Sequence, residues 1–402
     1  MKKLKRIVAS LLAVLMLLGV APVTALAGEI ELHHINTTQQ PAEEPAQEPV
    51  LGSEDVLPEE DVAEAAEPAA VSSSSSLDYR IVHLDCGRKY FSVEYIKSVI
   101  DTMAENGFNQ LELAFGNGGL RFVLDNMDIK SGSSTLHNSE DVKAAIKQGN
   151  ERFYNDPNGN SLTETNMKAI ITYAQSKGVE IVPLLNMPGH MDGVLSSDLF
   201  SQYKLSGSEG SLDLNNSYAV DFGKALLKLY VDWFRQNSNS KFFSFGADEY
   251  GQGIRNPYIE SSVAKVTYDQ LINYMNDCAG IIEGQSMTAR CFNDFVCYNR
   301  RTDCNLYKTV QVCYWSNQWN NSEYNTPDVI KNAGYKMINT NQKWYFVPSK
   351  ADEYGKSVVL NNFTTFDVTK YQNIKSGYNP TSTTYTEIPV GTTNVGAMFC
   401  VW

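Results

Sequence analysis

Lys241-Phe-Phe-Ser-Phe-Gly-Ala-Asp-Glu-Tyr250 is an apolar run that stops on a pair of small residues and then delivers two adjacent carboxylates, Asp248 and Glu249. The run reads as a buried strand, and in a parallel α/β protein the C-terminal end of such a strand is the end that faces the active site. Two acids placed there project into a cleft rather than into bulk water. Neighbouring carboxylates in a cleft push their pKa values apart, so that one can stay protonated while the other stays charged.

On either side of this stretch, short β-rich runs alternate with longer segments of helical period. Strands are predicted at Arg80–Cys86, Gln110–Phe115, Val179–Leu184 and Phe242–Phe245, then near Met287–Phe292, Thr309–Tyr314, Tyr335–Asn339 and Gly396–Val401. Helices are predicted over Val93–Glu105, Thr163–Lys177 (capped by Gly178), Tyr218–Arg235 and Ser262–Glu283, with a long polar excursion from Gly116 to Gly159. Eight alternating units in roughly 320 residues favour an α/β fold of the (β/α)8 barrel type over a doubly wound open sheet.

The start of the chain is an address label. Met1-Lys-Lys-Leu-Lys-Arg6 supplies a positive head, Ile7–Val20 an apolar centre, and Ala25-Leu-Ala27 before Gly28 a small-residue cleavage site, so residues 1–27 read as a secretory signal peptide. The apolar centre is too short for a membrane span, and no later segment approaches one. The mature protein is therefore expected outside the cell or at its surface. Residues 28–77 are rich in Glu, Pro, Ala and Ser and lack apolar periodicity, which predicts a disordered acidic spacer ahead of a catalytic domain at 78–402.

Charge is concentrated in that spacer. Loss of Lys2, Lys3, Lys5 and Arg6 with the leader takes the formal charge from −13 to about −17, and the twelve acids from Glu29 to Glu67 face no Lys or Arg in their own stretch. The body is only mildly acidic. Without clustered basic residues, neither nucleic acid nor an anionic membrane is an expected partner. The seven cysteines form no even framework and no Cys-x-x-Cys or His-rich spacing, which predicts buried thiols with at most one loop disulfide, no metal and no cofactor.

The ordered set Leu84-Asp-Cys-Gly-Arg88, Asn186-Met-Pro-Gly-His190, Gly246-Ala-Asp-Glu249, Tyr314-Trp315 and Asn339-Thr-Asn341 with Trp344-Tyr345 resembles the family-twenty glycoside hydrolases, the β-N-acetylhexosaminidases and their lacto-N-biosidase relatives. The likeness runs from about Arg80 to Trp402. It implies an oligosaccharide or glycoconjugate substrate, with a terminal β-linked N-acetylhexosamine hydrolysed with retention and the substrate's acetamido oxygen as nucleophile. Under that resemblance Glu249 is the acid/base and Asp248 orients the acetamide N–H. Arg88 binds hydroxyls on the far side of the sugar, and His190 partners the acid pair. Trp315 and Trp402 wall the ring and the acetamide methyl, Tyr345 donates to the acetamide oxygen, and Asp294 belongs to the substrate-binding set. Trp319 and Trp344 read as packing aromatics.

The chain departs from the family pattern in three places. Phe115-Gly-Asn-Gly-Gly119 has no Asp after the second strand, Phe292 stands where many relatives have a fifth-strand Trp, and Val347 replaces the Asp of many hexosaminidases. These differences keep a disaccharide-accepting pocket, as in a lacto-N-biosidase, among the expected readings. Trp402 falls at the tip of the eighth strand, where the family continues with an acid and a closing helix. A fragment is thus expected, with apolar surface bare on the first and eighth units. The Asp-x-Asp-x-Glu spacing of chitinase-type barrels is absent, and retention of both acids argues against an inactive glycan-binding barrel.

Overall fold

The structure, a computed structural model, describes residues 77–402 apart from 154–155, 157, 252–265, 299–303, 320–321, 324, 349, 351–353 and 375–382. The signal-peptide and spacer assignments therefore lie outside the described residues, save Leu77. Eight parallel strands close a barrel: β1 (Tyr79–Asp85), β2 (Gln110–Asn117), β3 (Glu180–Leu185), β4 (Phe242–Ser244), β5 (Thr288–Phe292), β6 (Gln311–Tyr314), β7 (Met337–Asn339) and β8 (Asn394–Val401). Each pairs with its sequence neighbours, and β1 seals the ring by pairing with both β2 and β8, Tyr79 lying opposite Gly396. All eight stand where the sequence predicts them, to within a few residues. β2 is buried along its whole length, its polar Gln110, Glu112 and Asn117 included.

The helices start where side chains can satisfy free backbone N–H groups. Ser92 caps α1 (Val93–Glu105), and Thr163 with Asn166 forms a reciprocal capping box for α3 (Glu164–Ser176). Asn216 caps α4 (Ser217–Asn237), whose Phe234 packs on Phe115 (ring centroids 5.7 Å apart) and Phe122 (5.9 Å). Burying such a side chain contributes ~1.5–3 kcal/mol.

Several expectations are corrected. The excursion at 116–159 is not merely polar loop: it holds an antiparallel pair (Ile129–Ser131 with Ser134–His137) and α2 (Ser139–Arg152), capped by Asn138. Helix α5 runs Tyr268–Glu283, because Thr267 and Gln270 make its capping box; the predicted start at Ser262 lies outside the described residues. Between β5 and β6 the described residues form no α-helix, only a loop closed by a Cys297–Cys304 disulfide, and the other five cysteines are buried thiols. After β6 come two short helices, α6 (Pro327–Asn332) and α7 (Lys356–Phe363), and a hairpin (Lys370–Ile374 with Thr383–Glu387) that the pattern did not signal. Nor is the outer face of β8 bare. Phe363 of α7 packs on Phe399 at 5.4 Å and Phe366 lies beside it, leaving Ala397, Phe399 and Val401 buried.

Candidate active site

Consecutive residues of a strand point to opposite faces, so two adjacent acids share a cleft only if the backbone leaves β geometry. It does so immediately after β4. Gly246, Ala247 and Glu249 have φ of 65°, 58° and 48°, in the left-handed region that is costly for all but glycine. At Gly246 a Cβ would also collide with the Asn186 carboxamide. That carboxamide fixes the turn: its oxygen accepts from Ala247 N–H (3.1 Å), and its Nδ2 donates to Asp248 Oδ1 (2.7 Å) and to Asn117 Oδ1 (3.1 Å). Asn117 thus fills the place after β2 where an acid was missed.

His190, itself at φ 50°, comes from the loop after β3 and sets Nε2 3.3 Å from Asp248 Oδ2 and 3.3 Å from Glu249 Oε2. These are ion-pair contacts, since neither has the alignment of a hydrogen bond. Burial disfavours the imidazolium, but the Asp248 charge, with contacts from both acids, raises the ring's pKa to about 10 against the pull of Arg88. Burial likewise works to raise Asp248, yet His190, Asn186 and Arg88 hold its carboxyl below the usual range, so it is charged at neutral pH. Arg88 donates to Asp85 Oδ2 (2.7 Å), places Nη2 3.4 Å from His190 Nδ1, and lies over the Trp402 ring at 5.4 Å.

The aromatic side of the cleft comes from later strands. Trp315 stacks near-parallel to Tyr345 (6.2 Å, 19°), and Tyr345 meets Trp402 at 5.5 Å. Trp402 rests on His83 at 4.3 Å, and His83 pairs with Glu112 (2.9 Å) inside the barrel. The Tyr345 hydroxyl shares a hydrogen bond with Thr340 Oγ1 (3.0 Å), and burial raises its pKa well above the usual value. With Phe292 and both acids, these rings enclose a cavity of about 620 Å³, within the usual ~300–1,000 Å³ of a small-molecule site.

Of the residues singled out from sequence, Arg88, Asp248, Glu249, Trp315, Tyr345 and Trp402 line this cavity, while His190 and Asp294 stand behind its wall. Trp344 packs on Phe366 (4.4 Å), away from it, and the Trp319 side chain lies outside the described residues. Lys89, Phe91, Pro348 and Tyr354 line the cavity without having been foreseen, because isolated loop residues carry no periodic signal. His190, Asp248 and Glu249 offer three donor atoms within 4.8 Å of one another. Their chemistry suits a metal poorly, since the second ring nitrogen faces the Arg88 cation rather than an acceptor.

Residues 77–402 match the description of glycosyl hydrolase family 20, catalytic domain. The chain is 25% identical to the lacto-N-biosidase of Bifidobacterium bifidum over 198 residues, 46% of this chain and 17% of that protein. It is 25% identical to a β-hexosaminidase of Vibrio vulnificus over 211 residues, 52% of this chain and 23% of the other. Both relatives are thus far longer than the stretch they share with it. Among solved structures, a catalytic module of the pneumococcal exo-β-D-N-acetylglucosaminidase StrH superposes with a TM-score of 0.70 at 30% identity, covering 81% of this chain and 79% of that one. A barrel closed by the predicted strands, an acid pair at the tip of its fourth strand and a match across every described residue lead to one conclusion: the chain belongs to glycosyl hydrolase family 20.

Proposed function

We propose that the protein is a secreted, retaining exo-glycosidase that removes terminal β-linked N-acetylhexosamine from glycans, with the substrate's 2-acetamido oxygen as nucleophile. The observation that carries this reading is the convergence of Asp248 and Glu249 on a single aromatic-lined cavity, with Asp248 held charged. Glu249 gives its proton to the leaving glycosidic oxygen as the acetamide oxygen bonds to C1 and the glycosidic bond breaks. Asp248 accepts from the acetamide N–H and stabilises the positive charge of the cyclised intermediate. Glu249, now a carboxylate, takes a proton from water as the water oxygen bonds to C1, reopening the ring with retained configuration. Arg88 binds hydroxyls on the far side of the sugar, and His190 braces the acid pair. Trp315 and Trp402 hold the ring and the acetamide methyl, while Tyr345 donates to the acetamide oxygen.

A second reading is favoured by one region of the cavity. Val347, Pro348 and Tyr354, together with Lys89 and Phe91, also line it and bring no acid of their own, which suits release of a disaccharide, as in a lacto-N-biosidase. A panel of aryl N-acetylhexosaminides and an aryl lacto-N-bioside separates the two. Inhibition by an N-acetylglucosamine thiazoline, which mimics the cyclised intermediate, tests the mechanism, and insensitivity would overturn it. No turnover on any of these substrates would favour a glycan-binding barrel instead. Export is tested by sequencing the N-terminus of the protein recovered from the medium, where cleavage after Ala27 is expected.

A further inference from the structure

Asp294 follows β5 and is completely buried, yet it does not line the cavity. Its two oxygens are spent on different parts of the site. Oδ1 accepts from the Glu249 backbone N–H (3.1 Å) and Oδ2 from Trp315 Nε1–H (2.7 Å). The neighbouring Asn293, also fully buried, adds a second tie between the ends of β5 and β6: its oxygen accepts from Trp315 N–H (2.9 Å) and its Nδ2 donates to Ser316 O (2.6 Å).

The Glu249 N–H has a particular need of this partner. Glu249 sits at φ 48°, a conformation that persists only where the surroundings over-determine it, and the Asp294 bond is a constraint from a different strand. Trp315 needs it too, because a buried indole N–H left without an acceptor is costly.

We propose that Asp294 touches no sugar atom and is a positioning residue: one buried carboxyl aligns Glu249 with the Trp315 face that seats the ring. This assignment rests on the reading of Glu249 as the acid. It replaces the substrate-binding role expected for Asp294. Burial, then the charges of Asp248 and Glu249, push the Asp294 pKa to about 8, while the Trp315 hydrogen bond pulls it down. Each oxygen accepts one N–H, an arrangement open to the carboxyl in either protonation state.

The test uses leaving-group chemistry. A 2,4-dinitrophenyl N-acetyl-β-glucosaminide departs without a proton, whereas a 4-methoxyphenyl one needs the acid. In Asp294→Asn the amide offers one acceptor oxygen for two N–H donors. We expect kcat/KM on the methoxyphenyl substrate to fall about 30-fold and on the dinitrophenyl substrate less than about 3-fold. In a Glu249→Gln background the same change should cost almost nothing further. Should Asp294→Asn not fold, Asp294→Ser keeps a single acceptor oxygen in less volume and should show the same leaving-group selectivity.

Equal losses on both substrates, carried by KM, would mean direct sugar contact and overturn the proposal. Unchanged kinetics with a lowered Tm would reduce Asp294 to a structural residue and overturn it as well. If Glu249→Gln itself shows no leaving-group dependence, the acid assignment fails and takes this proposal with it, an outcome distinct from the first two.

Discussion

The loops after β1 to β4 bring the charged groups, Arg88, Asp248 and Glu249 in the cleft with His190 behind them, whereas β5 to β8 and their loops bring the rings of Phe292, Trp315, Tyr345, Tyr354 and Trp402, against Phe91 from the first half. The two halves also differ in build. The first carries four capped helices of 13 to 21 residues between its strands, whereas after β5 the described helices are short and one loop is closed by a disulfide. Bond-making chemistry needs groups fixed to within a fraction of an ångström, which hydrogen-bonded turns at the tips of regular elements supply. A wall that grips a sugar face needs broad apolar area in the right plane, and irregular backbone can deliver it.

If this division holds, damage to each half should read differently. Glu249→Gln should lower kcat about 10²–10⁴-fold on substrates with poor leaving groups and leave the melting temperature near wild type. A loss confined to KM would break the assignment of chemistry to the first half. Trp315→Ala removes the ring and one partner of Asp294, so kcat/KM should fall about 10²-fold and stability by about 3 kcal/mol, read by urea unfolding.

Smaller effects follow from titration. Asp294 and His190 have folded pKa values raised above their unfolded ones, so their stabilising contributions are full at low pH and are lost as pH rises, through about 8 and about 10 respectively. Asp248, depressed, works the other way and loses its contribution as pH falls. The melting temperature should therefore decline from pH 6 to pH 10. Asp294→Asn should flatten that slope below pH 8, leaving the share of His190, and an identical slope in the variant would refute its cause.

The finest probe concerns the rim. Val347→Asp should lower KM for a monosaccharide aryl N-acetylglucosaminide about 5-fold, one added hydrogen bond being worth about 1 kcal/mol. It should leave a lacto-N-bioside unimproved. A rise in KM on both substrates would remove Val347 from any role in choosing the sugar.

Sequence reading succeeded where the same physics governs pattern and structure. Val93–Glu105 and Thr163–Lys177 were readable because caps and helical period agree, and the barrel because short β-rich runs alternate with such helical segments. It failed where long-range contacts decide. Ser139–Arg152 is a polar helix held by its Asn138 cap and by packing on neighbours, so its weak apolar stripe read as loop. At the site, the acid pair, Arg88, His190 and the rings could be marked by motif. That Asn186 anchors the turn beneath Asp248, or that Asp294 faces backward, depends on which way side chains aim once strands curl into a ring, and no linear spacing records that.

Because β1 hydrogen-bonds to β8, the first and eighth strands of the barrel are partners in a single sheet. A nascent chain leaving the ribosome thus carries β1 with one ladder of amides and carbonyls unpaired until residues 394–401 have been made. Ring closure is the most non-local event in the molecule, and loop-closure entropy delays it. The span between the two pairings is the interval in which this protein is most open to sticking to its neighbours.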